Sequence, residues 1–125
     1  MSAPWKKTLI KKIRKYAKWW INNSGLAYGH IDLVFKDHFF SQDESENRRA
    51  YAYCTTDWKY QESNIAFSLE AMKDCPVDQI EAIVVHELMH IFLNEMRAGG
   101  IEHEERVATS LQKAFMWTRD AAKHV

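Results

Sequence analysis

The chain has 125 residues, 46% of them hydrophobic and 13% aromatic, with Lys+Arg and Asp+Glu balanced at 17 each. This composition excludes a disordered chain, and the length suits one domain, residues 1–125, built on a single core. Zero net charge selects no partner, and no 18-residue apolar run exists to form a helical membrane span.

The N-terminus carries charge but no apolar stretch followed by small residues, so no secretory leader is expected. Cys54 and Cys75 lack metal-ligand spacing and are too few for a disulfide framework. Reduced thiols and a cytoplasmic protein are therefore expected. The charge distribution is uneven. Residues 42–105 hold 14 acids against five bases, whereas the first twenty residues are strongly basic.

Residues 4 to about 22 are predicted as the first helix. Pro4 suits a first-turn position, and Trp5, Leu9, Ile13, Tyr16, Ala17 and Trp20 recur at helical spacing. Lys6, Lys7, Lys11, Lys12, Arg14, Lys15 and Lys18 fill the other face with no acid among them. Such a face is a solvated cover over a hydrophobic layer, an electrostatic footprint for nucleic acid through Lys7, Lys11 and Lys15, or a membrane-surface helix. Asn22-Asn23-Ser24-Gly25 ends the helix.

Three short strands follow. Residues 30–35 alternate, with Ile31, Leu33 and Phe35 on one side and His30, Asp32 and Val34 on the other. The acidic stretch 37–47 reads as a loop with Phe39 and Phe40 tucked under it. In residues 49–55, Tyr51 and Tyr53 oppose Ala52 and Cys54. The third strand falls within 58–69, most strongly at 64–69. Strands at this spacing predict a small, mostly antiparallel sheet.

The central helix is predicted to start at Pro76, with Asp78 and Glu81 placing negative charge at the positive end of the helix dipole. It should run to about residue 95 or 97, where Gly99-Gly100 breaks it. Inside its apolar run stands His86-Glu87-Leu88-Met89-His90. On a helix, residues four apart share one face, so His86 and His90 can grip one Zn²⁺. Glu87 lies about 100° round from His86. It sits beside the metal, where a carboxylate can take a proton from metal-activated water.

A hydrolytic zinc site needs three protein ligands and an open position. After His90 the near candidates are Asn94, Glu95, Glu102, His103, Glu104 and Glu105. Glu95 points away from the histidine stripe. The chain must therefore fold back at the glycines into a last helix, residues 102–123, with Val107, Ala108, Leu111, Ala114, Phe115 and Thr118 on its inner stripe. The central helix ends about 10 Å beyond His90 at ~1.5 Å per residue, and Glu105 climbs back furthest. On the helical wheel, however, Glu104 aligns with Ala108, Leu111 and Phe115. Reach favours Glu105; direction favours Glu104.

His86-Glu87-Leu88-Met89-His90 followed by Glu105-Arg106-Val107-Ala108-Thr109 resembles the zincin metallopeptidases of the gluzincin kind. There a second helix supplies the third ligand as the glutamate of an E-x-x-A or E-x-x-S pattern, which implies that Glu105 is the ligand, with Glu104 the alternative. Thr109 departs from the family, standing where many members have an aspartate that orients the first histidine. The metzincin pattern is not met, since Met96 occupies the place of its third histidine. The resemblance covers about residues 77–115. The element order is similar to minimal zincins, including small phage-encoded ones and SprT-like DNA-dependent proteases.

The resulting expectation is an α+β, minimal zincin-like fold: N-terminal helix, three-stranded sheet, motif-bearing helix and C-terminal ligand-bearing helix. The expected activity is zinc-dependent hydrolysis of peptide bonds, with Glu87 as general base returning its proton to the leaving amine. By the resemblance, a peptide or protein substrate would pair with an edge strand, placed at 64–69. Tyr51, Tyr53, Tyr60 and His103 are oxyanion partners by residue type alone. The alternatives are a zinc-stabilised module that binds nucleic acid or protein with little turnover, and a DNA-activated protease using the basic first helix.

Overall fold

The computed structural model describes residues 3–24, 30–38, 51–57, 62–97 and 103–122, with Asp57 and residues 94–97 described by their backbone. The expected loop at 39–47, Tyr60 and Glu102 lie outside these. In chain order the elements are α1 (Pro4–Asn23), β1 (His30–Lys36), β2 (Ala52–Asp57), β3 (Glu62–Ser68), α2 (Leu69–Met72), α3 (Val77–Arg97) and α4 (Glu104–Ala122). The class is α+β, as the sequence patterning predicts. None of the described helices is long and apolar enough to cross a membrane.

The sheet is mixed. Its order is β1-β3-β2, with β1 parallel and β2 antiparallel to β3. The short connection at 58–61 gives β2 and β3 a hairpin arrangement, whereas the long stretch between β1 and β2 lets β1 pair on the far side of β3. Residues 64–69 were expected at the edge, and this is corrected: β3 is the central strand, and Leu69 already belongs to α2. The reason is visible in β3 itself, where the last four residues, Ile65 to Ser68, are all buried, a pattern that needs neighbours on both sides. The two outer strands alternate between sheltered and exposed residues instead.

One sheet face supports the helices. Leu33 and Cys54 flank Ile65 in register, and Phe35 and Ala52 flank Phe67. Phe35 and Phe67 stack at 5.8 Å. Against this face lies α3, which buries Ile80, Val84, Val85, Leu88, Met89 and Leu93. The helix α1 covers α3 with Leu9, Ile13, Ala17 and Trp20, as its periodicity predicts.

The inner stripe of α4 is only half as expected. Val107, Ala108 and Leu111 face inward, but Ala114, Phe115 and Thr118 are exposed. In that half of the helix Met116 and Arg119 turn inward instead. Arg119 Nη1 donates to Glu81 Oε2 at 2.5 Å and Nη2 to Oε1 at 3.2 Å, and Trp20 Nε1–H donates to the same carboxylate at 2.9 Å. The guanidinium also lies over the rings of Trp20 and Trp19, at 5.1 and 5.7 Å. Glu81 is thus a buried tie between α1, α3 and α4, and Asp78 is the acidic residue of the first turn of α3. Hydrophobic periodicity cannot place an inward arginine, and in this half of the helix Arg119 sets which side turns inward.

Candidate metal centre

The motif sits in the middle of α3, on the side that faces α4 and β2. His86 and His90 are one helical turn apart, their rings 5.0 Å between centroids. Their Nε2 atoms approach to 3.3 Å. The chain returns from α3 into α4, and Glu105, in the first turn of α4, brings its carboxylate to both rings. Its Oε2 is 2.9 Å from His86 Nε2 and its Oε1 is 2.9 Å from His90 Nε2. The three side chains offer ligand atoms all within 4.8 Å of one another, a group that could hold a metal ion.

The other ring nitrogens are also held. His90 Nδ1 lies 2.5 Å from Glu104 Oε2, and His86 Nδ1 lies 3.3 Å from Thr109 Oγ1. With the proton on Nδ1, each ring donates away from the cluster and turns the lone pair of Nε2 toward Glu105. This is the outer arrangement that ligating histidines need to keep orientation and tautomer. Thr109 thus stands behind His86 as Glu104 stands behind His90. Glu104 and Glu105 both reach His90, on opposite sides of its ring.

Glu87 is turned into the protein beside the histidines and is only 7% exposed. Burial, and then the charge of Glu105, push its carboxyl up to about 8. A cation placed among His86, His90 and Glu105 would act in the opposite sense, favouring the ionised form. The group is thereby sensitive to whatever occupies the cluster.

A cleft of about 540 Å³ opens over these residues, walled by α3, the start of α4 and Gln112, and by Tyr51, Ala52, Tyr53 and Cys54 at β2. Among the expected oxyanion partners, Tyr51 and Tyr53 both line this cleft. Tyr53 accepts from Lys36 Nζ at 3.4 Å across the outer face of the sheet, and Tyr51 hydrogen-bonds the Cys75 side chain. His103 is exposed, with φ of 61°, and its carbonyl accepts from Val107 N–H as α4 begins. Gln112 was not anticipated; its spacing of three from Thr109 on one helix was the available signal. Comparison of the chain with protein-family models, with curated proteins and with solved structures finds no match.

Proposed function

We propose that the chain is a zinc-dependent hydrolase, specifically a metallopeptidase of the minimal gluzincin kind. The observation that carries this reading is the convergence of His86 Nε2, His90 Nε2 and the Glu105 carboxylate, with separations of 2.9–3.3 Å. Ligands held at about 2.0–2.1 Å in a tetrahedron lie roughly 3.3 Å apart, so two nitrogens and one oxygen with an open side suit zinc. Zinc bound there would supply the positive charge that acidifies water and polarises a carbonyl.

The chain's own groups do the remainder. Glu104 and Thr109 hold the imidazoles in one tautomer. Glu87 stands beside the cluster, inside the cleft wall, where it takes a proton from water and returns it to the leaving amine. Burial and Glu105 favour the protonated carboxyl when the cluster is empty, and a cation held there would favour the carboxylate that this exchange requires. The substrate is a peptide in extended form. Its place is the side of β2 away from β3, an outer strand among the described residues that borders the cleft, and backbone pairing there would supply affinity with little sequence preference. Two free thiols support placing the protein in the cytoplasm.

The test is Glu87→Gln, assayed for cleavage of an unfolded protein substrate and for bound zinc. Cleavage should fall by about 10²–10⁴-fold while zinc content is unchanged. An unchanged rate in a variant that still binds zinc would remove Glu87 from the mechanism. A parent protein that binds zinc and cleaves no peptide would leave a binding module.

A further inference from the structure

The basic face of α1 plays no part in the metal centre, and its arrangement is specific. At 100° per residue, Lys7, Lys11, Lys15 and Lys18 fall within an arc of about 80°. That arc is opposite Leu9, Ile13, Ala17 and Trp20, which are buried in the core. Over about 16 Å of helix the four ammonium groups form one exposed stripe. Lys6 is not part of it, being paired with Asp37 at 2.7 Å, and Arg14 lies over the Phe35 ring at 5.0 Å. None of the four stripe lysines has an ion-pair partner among the described residues. Like charges at i and i+4 weaken a helix, and α1 contains no acid to relieve them.

At its C-terminal end the stripe runs into a second cleft. Lys15 and Lys18 form part of its wall together with Trp19 and Asn22, and its volume is about 430 Å³. Trp19 is 44% exposed, yet its ring is held edge-on against Trp20 at 4.9 Å. The acid of this cleft, Glu81, is already neutralised by Arg119. On α3, Glu81 and His90 are nine residues apart and so point in opposite directions. The stripe and its cleft therefore lie on the far side of α3 from the metal centre.

We propose that α1 and this cleft form a binding site for single-stranded nucleic acid. The lysine stripe tracks the phosphates, and an unpaired base stacks on the face of Trp19 opposite Arg119, whose guanidinium lies 5.7 Å from the ring centre. A row of cations ending at a fixed, exposed aromatic ring is the combination that single strands use, because their bases are free to stack. A duplex offers phosphates but no exposed base face. A membrane surface fits less well, since the apolar side of α1 is committed to the core and cannot insert. The proposal stands independently of the hydrolase reading.

The test is fluorescence anisotropy of labelled oligothymidylate and oligouridylate with the full chain, titrated over salt concentration. A DNA hairpin duplex and phosphatidylserine-containing vesicles serve as comparisons. The expected result is binding of both single strands, with log K falling against log salt at a slope of roughly −3 for four lysines. Lys11→Glu with Lys15→Glu should weaken binding and roughly halve that slope. Trp19→Leu, which keeps an apolar side chain in place, should weaken binding on the order of tenfold and leave the slope unchanged. Circular dichroism and zinc content, unchanged in each variant, show that the fold is intact. Absence of binding at low salt would overturn the proposal. So would equal binding of duplex with no effect of Trp19→Leu, or lysine-dependent binding to vesicles alone.

Discussion

At the start of α4 two consecutive carboxylates reach the two nitrogens of one imidazole. Glu104 holds His90 Nδ1 and Glu105 faces His90 Nε2. Their surroundings differ as their roles do: the Glu104 side chain is 16% exposed, that of Glu105 79%. On this account Glu105→Ala abolishes zinc binding, because it removes a ligand. Glu104→Ala and Thr109→Val leave the metal in place but weaken it by about 10–100-fold, as loss of a partner behind a ligating histidine does. Competition with a chelator measures both effects, and equal loss in all three variants would contradict the division of roles. His86, Glu87 and His90 were legible because their spacing depends only on helix geometry. The two sequence arguments about the glutamates each found a real contact. The wheel identified the carboxylate that points inward, and reach identified the one that meets both rings. What neither could supply was that both would touch His90, since that depends on how closely α4 returns to α3.

Between elements, the His86–His90–Glu105 group and the Glu81–Arg119 tie hold α4 to α3 at two separated levels. The tie is buried, and the Arg119 guanidinium is kept strongly protonated, chiefly by its bond to Glu81. Removing Arg119 leaves the Glu81 carboxylate with the Trp20 N–H alone in a poorly solvated place. Arg119→Met is therefore expected to cost about 3–5 kcal/mol in urea denaturation. A change within ±0.5 kcal/mol, the usual range for surface positions, would show that the tie is incidental. Neither this tie nor the strand order was legible. Periodicity finds apolar stripes, and Arg119 is an inward cation on a helix whose apolar residues suggested another face. The alternation of β1 and β2 was read correctly, but three strands in sequence look like a meander unless the continuous burial of the second half of β3 is taken to mean a central position.

At the scale of the whole molecule, one core is gathered around α3, and α4 is its least embedded helix. Of the described α4 residues only Ala108 is fully buried. Docking of α4 combines the half-buried Val107, Leu111 and Met116 with polar contacts, and a cation shared by α3 and α4 should stabilise the entire fold. Zinc at 100 times its dissociation constant is expected to add about 2.7 kcal/mol. Chelation should lower the melting temperature and speed amide exchange first in residues 104–122; an unaltered melting temperature would separate metal binding from folding. Element order and the α+β class followed from composition and periodicity, because each long element carries its own pattern. The candidate metal site, by contrast, forms only when distant segments meet. Its most direct test is bound metal per chain, measured by native mass spectrometry for the parent and for His90→Ala, Glu104→Ala and Glu105→Ala. Stoichiometric zinc in the parent and in Glu104→Ala, lost in the other two, is the predicted result. No metal in the parent even when zinc is supplied, or zinc kept in Glu105→Ala and lost in Glu104→Ala, would contradict the account.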